Sequence, residues 1–156
     1  VHESYSRIRF GGSVTPWKEL SLSKREANRA QAYHQAVSQA VFRRWDAKAL
    51  ARDISTLLTQ RDGERRYADG IADDAAFVRA LARTGCLEPA RMEHRRWCYD
   101  HIAHGWEYSG KRDDRCLRHD CLLNWEALTE KRPDTCKYDL MPLLAELEAA
   151  GRSETR

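Results

Sequence analysis

The sequence predicts a mainly α-helical fold with little or no β-structure. Apolar residues recur at helical spacing in several segments, most clearly in residues 46–60. Helix-start residues precede most of these segments, and glycines follow the predicted ends of some of them. Alternation typical of strands is weak, and residues 6–10 are the best strand candidate. These observations favour a helical class over a sheet-based one.

The first two helices are predicted over residues 23–42 and 46–60. Ser23, with Glu26 three residues later, has the pattern of a capping box, in which side chains at a helix start bond the free backbone N–H groups. Asp46 stands in the equivalent position before the second helix. Both segments therefore carry a start signal as well as helical periodicity.

A break and a short helix follow. Residues 61–70, RDGERRYADG, lose the periodicity and indicate an exposed loop. Asp73 or Asp74 is expected to cap a helix over residues 73–84. Gly85 suits the position just after that helix, where a left-handed backbone is common.

A fourth helix is predicted over residues 89–104. Pro89 fits its first turn, and Gly105 fits the position after its end. Two shorter helical segments are expected to begin near Trp125 and at Pro142. The C-terminal half is therefore also helical.

Composition limits the classes of function. The chain has 156 residues, a net charge of +3 and five cysteines. This length fits one domain. The mild basic charge suits a phosphate-bearing ligand but is too weak to predict duplex nucleic acid as a partner. We expect no membrane span, reduced cysteines and a cytoplasmic location. Because the chain begins at Val1, we expect it to be part of a larger protein.

The helix over residues 89–104 carries two stripes of large side chains on opposite sides. The side expected to face the core contains Met92, Tyr99, Ile102 and Ala103. The other side contains His94, Trp97, His101 and His104. Trp97 either packs against another helix or offers its face to a planar ligand such as a nucleobase. Periodicity does not distinguish these alternatives.

The chain also contains a weak internal repeat. His2-x-x-Tyr5, Trp17-x-x-Leu20 and Asn28 have counterparts, in the same order, in His94-x-x-Trp97, Trp125-x-x-Leu128 and Asp139. Two related halves are expected to pair around a pseudo-twofold axis. Tyr5 and Trp97 would then occupy equivalent places.

The second copy resembles a known family, the RyR domain (ryanodine receptor repeat). The motifs that carry the resemblance are His94-x-x-Trp97, Gly105-Trp106-x-Tyr108, Arg112-Asp113-Asp114, His119-x-Cys121-Leu122, Leu128 and Tyr138-Asp139. The resemblance implies a tandem helical module of the bacterial or phage type. Its parts are a degenerate first repeat in 1–45, connecting helices in 46–87, a second repeat in 88–151 and a tail in 152–156.

This sequence departs from the family pattern at several loop positions. Ser109 stands where the family has glycine, and Asp120 and Thr129 stand where it has proline. The first copy has no counterpart of the Trp106 and Arg112 motifs. These differences affect the expected loop geometry more than the expected fold.

The resemblance implies a ligand-binding role without catalysis. In the large calcium channels of this family the tandem repeat can hold an adenine nucleotide between paired aromatic rings, which here correspond to Tyr5 and Trp97. The polar contacts and a further cleft position would be Asn28, His119, Asp139 and Cys121. To these we add Arg29 as a phosphate partner, because a guanidinium binds phosphate through two hydrogen bonds. We expect no resident cofactor, only a possible adenine nucleotide or cyclic-nucleotide-type ligand.

A second group of residues is expected to support the site. His94 belongs to the same helical stripe as Trp97, and Trp106 and Tyr108 are interpreted as packing that fixes the loop after Gly105. Arg112 and Asp113, with the neighbouring Asp114, either clamp that loop through internal salt bridges or form a solvated charge run.

Other functions are weighed against this one. Cys116, His119 and Cys121 have the spacing of zinc ligands, but the RyR resemblance accounts for the last two without a metal, so we expect none. No helix-turn-helix spacing and no catalytic motif stands out. The main alternative is an interaction scaffold without a small ligand. We expect occupancy to be reported to an attached effector domain or protein partner.

Overall fold

The computed structural model describes residues 15–42, 46–61 and 64–144. Tyr5, the strand predicted in residues 6–10 and the tail in 152–156 lie outside these ranges, as does most of the last predicted helix. Five α-helices and two small sheets occur in the described part of the chain. The helices are α1 (Leu22–Phe42), α2 (Ala47–Leu57), α3 (Asp74–Leu81), α4 (Leu87–Ala103) and α5 (Trp125–Lys131). The mainly α prediction is confirmed at this level.

The strands form two separate pairs. β1 (Leu58–Arg61) and β2 (Glu64–Tyr67) are antiparallel, and β3 (Glu107–Tyr108) and β4 (Arg118–His119) are parallel. Two 3₁₀ helices, Trp17–Glu19 and Pro133–Leu140, complete the elements, and residues 141–144 continue the second one as a helical turn. The 3₁₀ helix Pro133–Leu140 contacts α3, α4 and α5 and so joins the three helices.

Local capping chemistry determines several helix starts as predicted. The Asp46 side chain accepts the Lys48 N–H at 2.8 Å, and the Asp73 side chain accepts the Ala76 N–H at 2.7 Å. The predicted capping box at Ser23 is wrong. Helix α1 begins one residue earlier, and the Ser21 hydroxyl accepts the Lys24 N–H at 3.4 Å. Here the earlier of two serines provides the oxygen.

The loop predicted over residues 61–70 is largely a β-hairpin instead. Strands β1 and β2 pair in register from Leu58 with Tyr67 to Arg61 with Glu64. Helix α2 accordingly ends at Leu57 rather than at residue 60. The Asp-Gly pair between the strands is a frequent hairpin signal, and the charged strand residues concealed it. The Tyr67 ring packs on Phe77 with ring centres 5.0 Å apart.

Two glycines differ from each other in role. Gly105 has a φ of 82° directly after α4, as predicted for a helix end. Gly85 is not among the described residues with positive φ, so its predicted role as a left-handed cap is wrong. Its N–H bonds Asp53 Oδ2 at 2.9 Å, and a Cβ there would lie 3.2 Å from that oxygen. Gly85 therefore allows a close approach between the α3–α4 connection and α2.

The core lies between α2, α3, α4, α5 and the 3₁₀ helix Pro133–Leu140. Its most buried side chains are Ile54, Leu57, Phe77, Leu81, Leu128 and Leu140, and Trp97 packs against its edge. The predicted core face of α4 is wrong, because Tyr99 is 66% exposed and Ile102 is 57% exposed. The opposite stripe, led by the buried Ala90 and His94, faces the protein.

Two predictions concern the whole chain, one about membrane spans and one about symmetry. No described helix is long and apolar enough to cross a membrane. The pseudo-twofold relation between the halves stays a prediction, because His2 and Tyr5 of the first copy lie outside the described residues.

The left-handed backbone at Gly105 leads to a stability prediction. Gly105→Ala is expected to lower the free energy of unfolding by about 1 kcal/mol, because an L side chain is strained at positive φ. Urea denaturation measures this change. Gly110→Ala is the matched control, since Gly110 has no positive φ and a Cβ there meets no atom within 4 Å. Equal effects at the two glycines would contradict the argument.

Candidate functional site

Five aromatic rings from three segments gather beside the core. His94, Trp97 and His101 come from α4, Trp106 follows Gly105, and His119 lies on β4. Trp97 has its ring centre 4.0 Å from that of His101 and 4.9 Å from that of His119. The Trp106 ring centre lies 5.3 Å from that of His101 and 5.9 Å from that of His119. We call these five side chains the ring cluster.

The cluster forms because α4 places its members on one face. Residues 94, 97 and 101 are three and four positions apart, which aligns them along one side of a helix. Gly105 then ends α4, and the Trp106 N–H bonds the His101 carbonyl at 3.0 Å. This turn brings the Trp106 ring back toward the helix it follows.

His94 is the buried anchor of the cluster. Its Nε2 lies 2.9 Å from the Leu123 carbonyl oxygen, and its Nδ1 lies 3.4 Å from Asp139 Oδ2. Both neighbours are acceptors, so each ring nitrogen carries a proton and the ring is an imidazolium paired with a carboxylate. Burial alone would lower the pKa of His94, but the contacts with Asp139 and Cys98 outweigh it and raise this pKa. Burial raises the pKa of Asp139, although His94 opposes that shift.

His119 is a neutral ring in the same cluster. Its Nδ1 accepts the Cys121 N–H at 3.1 Å, which leaves the ring proton on Nε2. Burial, helped by the nearby Arg112, lowers the pKa of His119 to about 4. The cluster therefore joins one charged histidine, His94, to one that stays uncharged at neutral pH.

The possible metal ligands near His119 are already engaged. His119, Asp120 and Cys121 offer donor atoms within 4.8 Å of one another, and the exposed Cys116 is not part of this group. Arg132 forms an ion pair with Asp120, and burial raises the pKa of the Cys121 thiol to about 11. Zinc binding at this place would have to displace the Cys121 thiol proton and the Asp120–Arg132 ion pair. The expectation of no metal here stays a prediction.

The charged loop before β4 makes hydrogen bonds between its own residues. Arg112 makes two bonds to Asp114, at 2.6 Å and 3.0 Å. Asp113 Oδ1 accepts the N–H groups of Arg115 at 3.0 Å and Cys116 at 3.3 Å. The internal bonds are present, but the Arg112 and Asp114 side chains are also 55% and 62% exposed, so the role of this run as a clamp stays a prediction.

Trp106 and Tyr108 differ in their surroundings. Trp106 is half-buried in the ring cluster. Tyr108 is 49% exposed on β3, with the Lys131 ammonium 5.8 Å from its ring centre. The predicted role of both residues, packing that fixes the loop after Gly105, therefore fits Trp106 better than Tyr108.

Two predicted ligand contacts on α1 have partners close in sequence. The Asn28 side-chain amide donates to the Lys24 carbonyl at 2.7 Å. Arg29 pairs with Glu26, and its guanidinium lies 5.7 Å from the Trp17 ring centre. No described contact joins either residue to the ring cluster, and their roles in binding stay predictions.

Sequence reasoning left important contributors out of the predicted site. His101 lies four residues after Trp97, so helical spacing was sufficient to include it. Leu123 acts through its backbone carbonyl, which no residue type reveals. Arg132 reaches Asp120 across 12 positions of chain, and only the folded loops bring the two together.

The fold and the cluster together define a small helical module with an aromatic site at the end of one helix. Residues 87–153 match the family model of the RyR domain. The matched segment begins at the first residue of α4 and contains the whole ring cluster. No curated protein and no solved structure matches the chain. The predicted first repeat lies outside the matched segment, so the tandem arrangement stays a prediction.

The buried, uncharged His119 leads to a pH prediction. Its folded pKa of about 4 lies below the ordinary value of 6.5, so below pH 6.5 the unfolded chain binds a proton that the folded chain does not. Stability is therefore lost as the pH falls from 6.5 to 4, by about 2–3 kcal/mol from this group. His119→Gln should reduce this loss in urea denaturation curves. If His119→Gln and the exposed His104→Gln showed the same pH dependence as the unmodified chain, the argument would fail.

Proposed function

We propose that this chain is a non-catalytic module that binds a nucleotide or a nucleotide-derived signal at the ring cluster. The observation that carries the proposal is the gathering of five aromatic rings, with centres 4.0–5.9 Å apart, at the edge of the core. Aromatic side chains stabilise a stacked base by about 1–3 kcal/mol per base. Trp106, half-buried at the end of α4, is the member best placed to combine a fixed position with access.

Electrostatics also support an anionic ligand. Arg112 adjoins His101 and His119 and contributes to the lowered pKa of both rings, after the larger effect of burial. A ligand phosphate near these groups would find positive potential on one side and an aromatic surface on the other. The RyR domain assignment is compatible with this role, and Tyr5 remains the predicted second stacking face.

The proposal is tested by calorimetric titration of the full chain with AMP, ADP, ATP, a cyclic dinucleotide and ADP-ribose. We expect at least one to bind, and Trp106→Leu to weaken that ligand by about 5-fold to 150-fold, the equivalent of one lost stacking face. Tyr99→Leu is the matched control, because Tyr99 is an exposed aromatic residue on the other side of α4. Binding by none of the five, or equal losses in both variants, would reject the proposal.

A specific observation favours a second candidate, an interaction scaffold. Tyr33 and Val37 on α1 are 80% and 53% exposed, and Tyr99 and Ile102 on α4 are 66% and 57% exposed. Exposed apolar groups at helical spacing are typical of protein interfaces. A photo-crosslinking amino acid at position 99 should then give a discrete adduct in cells, while the same group at the exposed Arg83 gives none. No adduct at position 99 would reject this candidate.

A further inference from the structure

The loop between β3 and β4 has a fixed shape. Asp113 and Arg118 exchange two backbone hydrogen bonds, each 2.9 Å long, which close the turn between them. Leu117, inside this turn, has a φ of 52°, an uncommon value for a residue with a branched side chain. The backbone of this turn is therefore held by its own hydrogen bonds.

The acidic side chains of this loop are used internally. Asp113 accepts the N–H groups of Arg115 and Cys116, and its pKa is lowered first by the backbone bond from Cys116. Asp114 is paired with Arg112, whose bonds lower the Asp114 pKa. The loop nevertheless has four cations, Lys111, Arg112, Arg115 and Arg118, for these two carboxylates, so a net positive charge remains.

Three of these cations are not held in a close ion pair, although Asp113 still attracts Arg118. Lys111, Arg115 and Arg118 are exposed, and within the described part of the chain their side chains make no hydrogen bond or close ion pair. Lys24, at the start of α1, lies near enough to lower the pKa of Asp114 and adds positive charge from a second element. The loop thus has an excess of positive charge that its own fold does not offset.

These side chains surround an open basin of about 580 Å³. It is lined by Ser109, Lys111, Arg112, Asp113, Asp114, Arg115 and Arg118. The Ser109 N–H bonds the His119 carbonyl at 3.3 Å, so the basin begins one strand pair away from the ring cluster. The basin and the ring cluster are therefore close along the chain, on either side of this strand pair.

We propose that the basin binds the diphosphate or triphosphate group of the ligand. This inference rests on the proposed function and adds its phosphate subsite. Guanidinium groups bind phosphate through paired hydrogen bonds, and a chain of phosphates carries enough negative charge to engage Lys111, Arg115 and Arg118 together. Arg29, the phosphate partner predicted from sequence, is by contrast already paired with Glu26.

The test titrates the full chain with inorganic tripolyphosphate, adenosine and ATP by calorimetry at two salt concentrations. We expect tripolyphosphate to bind, ATP to bind more tightly than adenosine, and added salt to weaken both phosphate ligands. Lys111→Gln, Arg115→Gln and Arg118→Gln should each weaken tripolyphosphate by about fivefold or more. Arg83→Gln, an exposed arginine after α3, is the matched control and should change nothing.

The outcomes of this titration distinguish a failure of the phosphate basin from a failure of the proposed function. If tripolyphosphate binds and no nucleoside compound binds more tightly, the basin stands and the proposed function fails. If adenosine binds as tightly as ATP while tripolyphosphate does not bind, the basin is rejected and the proposed function stands. If neither tripolyphosphate nor any nucleoside compound binds, both the basin and the proposed function are rejected. If a single-stranded oligonucleotide binds more tightly than ATP and depends on the same three residues, a free nucleotide is the wrong ligand.

Discussion

His94→Ala is expected to lower the free energy of unfolding by about 3–5 kcal/mol, because it removes one partner of a buried ion pair. His94 is 4% exposed and links three segments: α4, the Leu123 carbonyl and Asp139 on the 3₁₀ helix Pro133–Leu140. Without the imidazolium, the Asp139 carboxylate loses its counter-charge and the Leu123 carbonyl loses a donor. Equilibrium urea denaturation at pH 7 measures the loss.

Two further variants make the result specific. His104→Ala, near the end of the same helix, is the matched control and should cost much less, because the His104 side chain is 46% exposed. In a double-mutant cycle, His94→Ala and Asp139→Ala should couple by more than about 1 kcal/mol, since they remove the same pair. Additive losses would show that the two side chains act independently and would contradict the ion-pair account.

The parts of this fold that could be predicted from sequence are the local ones. Asp46 and Asp73 cap helices because a cap needs only a side-chain oxygen and N–H groups two or three residues later. Gly105 ends α4 for an equally local reason, the positive φ at that position. These three signals place two helix starts and one helix end within a few residues of their positions in the structure.

The orientation of α4 could not be predicted in the same way. Its two stripes have the same helical spacing, and the core side was assigned to Tyr99 and Ile102, which are exposed in the structure. His94 is buried because Asp139 and the Leu123 carbonyl satisfy it, and both lie far from it along the chain. Only the fold shows that a polar residue has such partners.

Only some members of the ring cluster were among the predicted site residues. The family motifs place Trp97, Trp106 and His119 in the predicted site, and the structure brings their rings together. The basin is different. Its net positive charge is visible in the sequence, since residues 109–118 contain four cations and two carboxylates, but only the fold shows that these side chains line one basin.

Trp97→Ala is the second substitution with a large expected effect, a loss of about 3–5 kcal/mol in the free energy of unfolding. Trp97 packs against the core and has the His101 and His119 ring centres within 4.9 Å, so its removal leaves a cavity beside the buried His94. The competing expectation, that Trp97 is chiefly a stacking face for a ligand, predicts lost binding with little loss of stability.

Trp97→Phe distinguishes these roles even if the alanine variant does not fold, because it keeps a ring while removing part of the packing. We expect Trp97→Phe to lose stability, by less than Trp97→Ala, and to keep most of its affinity for ATP, since Trp106 still offers a ring. Calorimetry beside urea denaturation gives both quantities for each variant. If Trp97→Phe kept full stability but no longer bound ATP, Trp97 would be a stacking residue for the ligand, and its expected role in packing against the core would be wrong.

If Tyr5 is the second stacking face, Tyr5→Ala should weaken ATP binding by about 1–3 kcal/mol. Tyr5→Phe should change ATP binding by almost nothing, because stacking requires the ring and not the hydroxyl.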